Sequence, residues 1–212
     1  MRKHYLNNFI LFTIIATLFI LSMVFINRFA GTDTFFLNKL IFAEAYVKEL
    51  DKLTDIIFYL IIGGTLVFLG TLEIINMVKN KSIKPTRFIV FFAIAMVLAI
   101  VIWIGFDKFI IINPRPIIQK DEGSCPSTHV FVSTFLLLVL SFKIGEMLRM
   151  ADFKGAKLLK TLIYILATVV IIMMCIFRVR CGMHYFSDTI AGVLVGLALY
   201  NFVAWNNNKE VV

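Results

Sequence analysis

His184 and Asp188 stand four residues apart in the stretch RVRCGMHYFSD, which begins at Arg178. On a helix that spacing puts both side chains on one face. The carboxylate can then accept a hydrogen bond from one ring nitrogen, which fixes the tautomer and leaves the other nitrogen free to attack an electrophile. Two further short stretches hold the other residues able to do chemistry: DKFIIINPRP, with Lys108 and Arg115, and PSTH, with Ser127, Thr128 and His129. Lys108, Arg115 and Arg178 are positive charges with only one firmly placed carboxylate among them, and converging cations in an apolar chain call for an anion. Guanidinium forks match phosphate oxygens two at a time, and lysine adds a compact charge. PSTH reads as a helix start, where unpaired backbone N–H groups and the helix dipole favour an anion, with the Ser127 hydroxyl as another donor. His129 can give a proton to a departing oxygen. The same two histidines and Asp188 could instead ligate a metal, but three cations beside them favour an anion.

These residues must be positioned by membrane spans. The 212-residue chain is 60% hydrophobic and 16% charged, with a mean hydropathy of +0.93, outside the range of soluble domains. Six segments are long and apolar enough to cross a bilayer: residues 8–26, 56–78, 88–106, 129–147, 161–177 and 187–206. The expected fold is therefore all-α, a bundle of six transmembrane helices forming one domain over residues 1–212, with the reactive stretches within 108–188. The first apolar stretch is longer than a signal-peptide core and reads as an uncleaved helix. Between the first two spans, Phe36, Leu40, Ala43, Val47 and Leu50 recur at helical spacing among charged residues, which predicts an amphipathic helix at the membrane surface. The short loops KNKSIKPTR and LRMADFKGAKLLK are basic, so they and both termini are expected on the cytoplasmic side. The three reactive stretches then share the opposite, outer face. That orienting role accounts for the net charge of +8, and no nucleic-acid partner is needed to explain it.

KFIIINPRP, PSTH and RVRCGMHYFSD resemble the three-part signature of the type 2 phosphatidic acid phosphatase (PAP2) family: K-x6-R-P, P-S-G-H and S-R-x5-H-x3-D. The resemblance implies an integral-membrane phosphatase that works without metal or other cofactor, through a phosphohistidine. It assigns His184 as nucleophile, Asp188 as its orienting carboxylate and His129 as general acid. It assigns phosphate binding to Lys108, Arg115, Ser127, Arg178 and the backbone near Thr128. Two positions depart from the pattern: Phe177 replaces the usual serine and Thr128 the usual glycine. The first removes a hydroxyl donor, which Arg180 is placed to replace in part. Arg180 lies outside the signature, and contact with a second phosphate or headgroup stands beside pairing with Asp121 or Glu122.

The expected reaction is hydrolysis of a lipid phosphate or diphosphate entering from the bilayer of a bacterial inner membrane. Undecaprenyl diphosphate, phosphatidylglycerophosphate, phosphatidate and a lipid A phosphate all fit, since the motifs read only phosphate. No obligate protein partner is implied. A lipid phosphotransferase of the same fold and a phosphate-binding membrane protein without catalysis are the alternatives; an oriented His184 favours an enzyme over a binder. Embedding in the membrane argues against a vanadium-dependent haloperoxidase, which shares the signature. Cys125 and Cys181 both fall on the outer, oxidising side, and a disulfide between them is left open.

Overall fold

The computed structural model describes residues 2–30, 45–112, 114–118, 121–151 and 154–207. Six helices in it are long and apolar enough to cross a membrane: α1 (Arg2–Ala30), α2 (Lys48–Asn80), α3 (Arg87–Ile104), α4 (Thr128–Ala151), α5 (Ala156–Arg180) and α6 (Phe186–Asn207). The chain is thus a multi-pass membrane protein of the all-α class.

The least apolar spans, α4 and α6, are the most buried. In lipid the outside is itself apolar, so polarity and small residues, not hydropathy, mark the centre. A Cβ on Gly196 would lie 2.6 Å from the Phe131 carbonyl oxygen and from Thr134 Cβ, so here the α4 and α6 backbones touch. α6 also packs against α1, α3 and α5, and α4 against α2 and α5. Phe92 of α3 stacks on Phe135 of α4 with ring centroids 5.8 Å apart, inside a core that also holds Phe131, Leu136, Leu199 and Val203. α2 and α3 form no extensive contact with each other, which leaves a gap between them.

Local chemistry sets the ends. Lys81 closes α2 in the left-handed region at φ 47°, and its N–H returns to the Val78 carbonyl at 3.3 Å. Thr86 caps α3 by accepting the Ile89 N–H, while its own hydroxyl donates to Glu73 at 2.7 Å. At its far end α3 widens into a π-helical turn, Gly105–Phe109, where the Ile110 N–H reaches the Gly105 carbonyl at 2.8 Å. The turn buries Asp107 and leaves Lys108 outward. The chain then folds back: the Gly123 N–H bonds the Asp107 carbonyl at 3.0 Å, and the Arg115 N–H bonds the Glu122 carbonyl at 3.2 Å.

The start of α2 differs from expectation. Residues 48–55 are its first turns rather than part of a separate surface helix. At 1.5 Å per residue its 33 residues extend about 50 Å, well over the roughly 30 Å of a hydrocarbon core. Of the amphipathic pattern, Leu50 belongs to the second span and Val47 precedes that span as its extended N-cap. Phe36, Leu40 and Ala43 lie outside the described residues. The Val47 N–H docks on the Cys181 carbonyl at 3.2 Å, which brings the start of α2 against the loop that carries His184.

Candidate active site

Five expected site residues line one cavity of about 350 Å³: Arg115, Thr128, His129, Arg178 and His184. They occupy its polar end, with Asp107 beside them; Phe58 and Ile62 of α2 and Met96, Ile100 and Trp103 of α3 form its apolar wall. Ile100 and Trp103 are exposed on the outer surface of the bundle. The cavity therefore lies in the gap between α2 and α3, charged at one end and greasy toward the lipid.

Arg178, in the last turn of α5, is only 2% exposed. Its Nη1 pairs with Asp51 and donates to the Thr54 hydroxyl at 2.9 Å. Its Nη2 lies 3.3 Å from His184 Nε2. Its Nε is buried without a protein partner among the described residues. Nε and Nη2 make up one edge of the fork, the edge guanidinium uses for bidentate contact with an oxyanion. The Tyr46 phenol donates to the other Asp51 oxygen at 2.6 Å. Burial, then Asp51 itself, pushes that phenol up to about 12, so it stays a donor.

His184 sits in the loop before α6 and is nearly inaccessible. Its Nδ1 lies 2.8 Å from the Ser124 carbonyl oxygen. A carbonyl only accepts, so Nδ1 carries the proton and Nε2 keeps its lone pair. The nearest Asp188 oxygen is 3.9 Å from Nδ1, beyond hydrogen-bonding range, and it accepts the Tyr185 N–H at 2.8 Å instead. The expected His184–Asp188 hydrogen bond is thus replaced by one to the backbone. The reason is local: α6 begins at Phe186, so His184 precedes the helix, and Asp188 turns back onto a backbone N–H at the helix start. Its carboxylate still places negative charge close behind the ring.

Burial holds the His184 ring well below the ordinary histidine value, and the Arg178 and Arg115 guanidinia add to the effect. The neutral ring is the nucleophilic form. The folded chain takes up this proton less readily than the unfolded chain, so the associated stability is present above the unfolded value of about 6.5 and drains as pH falls below it. The thermal midpoint in detergent should drop between about pH 7 and about pH 5, and less so in His184→Asn. An equal drop in both proteins would contradict this assignment.

The other expected residues are placed as follows. Thr128 starts α4, and the first intrahelical bond there is from the Phe131 N–H to the Ser127 carbonyl, at 3.0 Å. The N–H groups of Thr128, His129 and Val130 have no acceptor within the helix. Ser127 is fully buried; its N–H bonds the Asp188 carbonyl at 3.0 Å, and its hydroxyl has no partner among the described residues. Arg115 meets Glu122 at 2.8 Å and Asp107 at 3.4 Å. Lys108 bonds the same carboxylates, at 2.7 Å and 3.1 Å, but its side chain is 53% exposed and stands outside the cavity lining. Arg180 is exposed at the end of α5 and also off the lining, so it does not stand in for the missing serine. The hydroxyl touching Arg178 comes from Thr54. No disulfide joins Cys125 to Cys181; the Cys181 thiol, pushed up mainly by burial, donates to the Arg178 carbonyl at 3.3 Å.

Sequence reading missed the carboxylates that hold these groups: Asp51 for Arg178, Asp107 for Arg115 and Lys108, and Asp55 for His129; Glu122 was weighed only as a partner for Arg180, whereas it pairs with Arg115 and Lys108. Asp107 alone had a signal, as the neighbour of Lys108. The Arg178 guanidinium at Nε2 bears on the metal alternative, because a divalent cation bound there would sit against a fixed positive charge, whereas an oxyanion would bridge the two groups.

The family model described as the PAP2 superfamily matches residues 90–211. The chain belongs to that superfamily, and it is a membrane-embedded phosphatase, a phosphoric monoester hydrolase. A crystal structure described as that of the first transmembrane PAP2-type phosphatidylglycerolphosphate phosphatase from Bacillus subtilis shares the fold, with a TM-score of 0.52 at 18% identity over 98% of this chain and 97% of that one. Among curated proteins none matches.

Proposed function

We propose that the protein hydrolyses a lipid phosphate or diphosphate at the outer face of a bacterial inner membrane, through a phosphohistidine on His184. One observation carries the reading: a single cavity joins Arg115, Arg178, His129 and His184 to an apolar wall that runs between α2 and α3. Such a cavity fits a molecule with an anionic head and a hydrocarbon tail, which enters sideways from the bilayer.

In this reading the phosphoryl oxygens take the Nε edge of Arg178, Arg115 and the open N–H groups of Thr128 and His129. These donors offset charge on the transferring group. The Ser127 hydroxyl adds a donor at the same helix start. Nε2 of His184 attacks phosphorus, and the P–O bond to the lipid breaks as His129 hands a proton to the departing oxygen. Water then attacks the phosphohistidine, giving up a proton to His129 and restoring His184. The Ser124 carbonyl and the Asp188 carboxylate stabilise the positive ring while it bears the phosphoryl group. Lys108 holds Glu122 at the rim and serves an outer phosphate oxygen when that carboxylate yields. No cofactor and no second protein enters the scheme.

The basic turn after α2 and the basic stretch between α4 and α5 lie at the ends of the spans remote from the cavity. Basic loops favour the cytoplasm, which supports cytoplasmic termini and an outward site. Because the Bacillus subtilis protein of like fold is a phosphatidylglycerolphosphate phosphatase, phosphatidylglycerophosphate is the first substrate to try, ahead of undecaprenyl diphosphate, phosphatidate and a lipid A phosphate. Phosphate release in detergent with chelator present is expected for at least one of these. Release from none of them, by folded protein, would refute the hydrolase reading.

A further inference from the structure

The contact left unexplained by the signature is on the acid rather than the nucleophile. His129 Nε2 lies 2.9 Å from Asp55 Oδ1. Asp55 is on α2, 74 residues away in sequence. Three residues further along α2, the Phe58 ring lies over the imidazole with centroids 4.3 Å apart at 35°. Residues three apart share a helix face, so α2 grips His129 twice: at a ring nitrogen and across the ring plane. His129 and Phe58 line the cavity and Asp55 does not, so the carboxylate takes the ring from its far side.

We propose that Asp55 is a positioning residue for proton transfer: it holds His129 with the proton on Nε2 and so makes Nδ1 the nitrogen that gives a proton to the leaving oxygen and later takes one from water. This rests on the phosphatase reading above. An ionised carboxylate only accepts hydrogen bonds, so the nitrogen facing it must carry hydrogen. Nδ1 is then the single site whose proton comes and goes. When the bond to the lipid oxygen breaks, the Nδ1 proton moves to that oxygen and the ring becomes neutral. When water attacks the phosphohistidine, its proton moves to Nδ1 and the imidazolium returns. The negative charge of Asp55 favours that imidazolium, so it acts where the leaving group most needs a proton.

The role predicts dependence on the leaving group, which a contact that merely tied α2 to α4 would not show. An alkoxide needs the proton badly, and p-nitrophenolate hardly at all. In Asp55→Asn, kcat/KM should fall about ten- to hundredfold for a lipid alkyl phosphate and less than about threefold for p-nitrophenyl phosphate, as a partial loss of acid catalysis. In a His129→Gln background the same substitution should cost almost nothing further, since the two act as one unit. Equal losses on both substrates, no loss on the alkyl substrate, or full additivity with His129→Gln would overturn the proposal while leaving the phosphatase reading intact. Wild-type protein inactive on every phosphate ester would sink both.

Discussion

His184→Ala should abolish measurable turnover, with a fall of about four to six orders of magnitude in kcat, as expected when a covalent nucleophile is removed. The lone pair on Nε2 is set there by the Nδ1 bond to the Ser124 carbonyl, and Arg178 Nη2 stands 3.3 Å from it. An oxyanion drawn to that guanidinium edge arrives beside the nitrogen that attacks it, so binding and alignment are one event. Water in the vacated space would lack that alignment, and His129 cannot serve it as a base while it protonates the departing oxygen. Phosphate binding should survive, because Arg115 and Arg178 remain. Inorganic phosphate should therefore still compete with a fluorescent lipid phosphate on the variant. Near-normal turnover in His184→Ala would show that the ring is structural.

Arg178→Lys is expected to lower kcat/KM about 10²- to 10³-fold, the usual cost of one preorganised donor to developing charge. Lysine keeps the positive charge but not the fork. It could still pair with Asp51, but it has no equivalent of Nε, which is buried and unpartnered among the described residues. The two readings of Arg178 separate here. If it only neutralises Asp51, lysine suffices and activity holds. Arg178→Ala goes further, leaving Asp51 with the Tyr46 phenol and no cation; breaking a buried pair in this way costs about 3 kcal/mol. Its thermal midpoint should drop well below that of Arg178→Lys, and comparison of the two variants divides binding from folding.

How far the sequence carried these conclusions depends on the kind of interaction. The spans were legible because lipid imposes length and apolarity on each segment separately, and all six expected ranges fall within helices. The convergence of the reactive stretches was legible from their residue types and spacing, and Arg115, His129, Arg178 and His184 do line one cavity. What stayed hidden was long-range or carried by backbone. Asp51 meets Arg178 across 127 residues, and no pattern within α2 separates it from an ordinary surface charge. The Ser124 carbonyl has no residue type to read at all, so the i,i+4 rule assigned its task to Asp188. The same rule applies only inside a helix, and His184 lies two residues before one. Lys108 illustrates the converse: its spacing to Arg115 is in register, yet the π-helical turn leaves it facing solvent and carboxylates rather than the cavity.

The departures from the family pattern also resolve into geometry. Phe177 supplies no hydroxyl, but Thr54 puts one on Arg178 at 2.9 Å. The start of α2 thus contributes Asp51, Thr54 and Asp55 to a site whose recognisable residues all lie beyond position 107. A swap of α2 for another apolar span would keep the signature and lose the site.

The central claim is that phosphorus passes from the lipid to Nε2 of His184 before it reaches water. The stereochemistry of hydrolysis tests it most directly. A lipid phosphorothioate made chiral at phosphorus with oxygen isotopes is hydrolysed in isotopically labelled water, and the configuration of the released thiophosphate is read. Two successive in-line displacements predict net retention. Net inversion would mean that water attacks the lipid phosphate directly, with His184 no more than a bystander in the pocket.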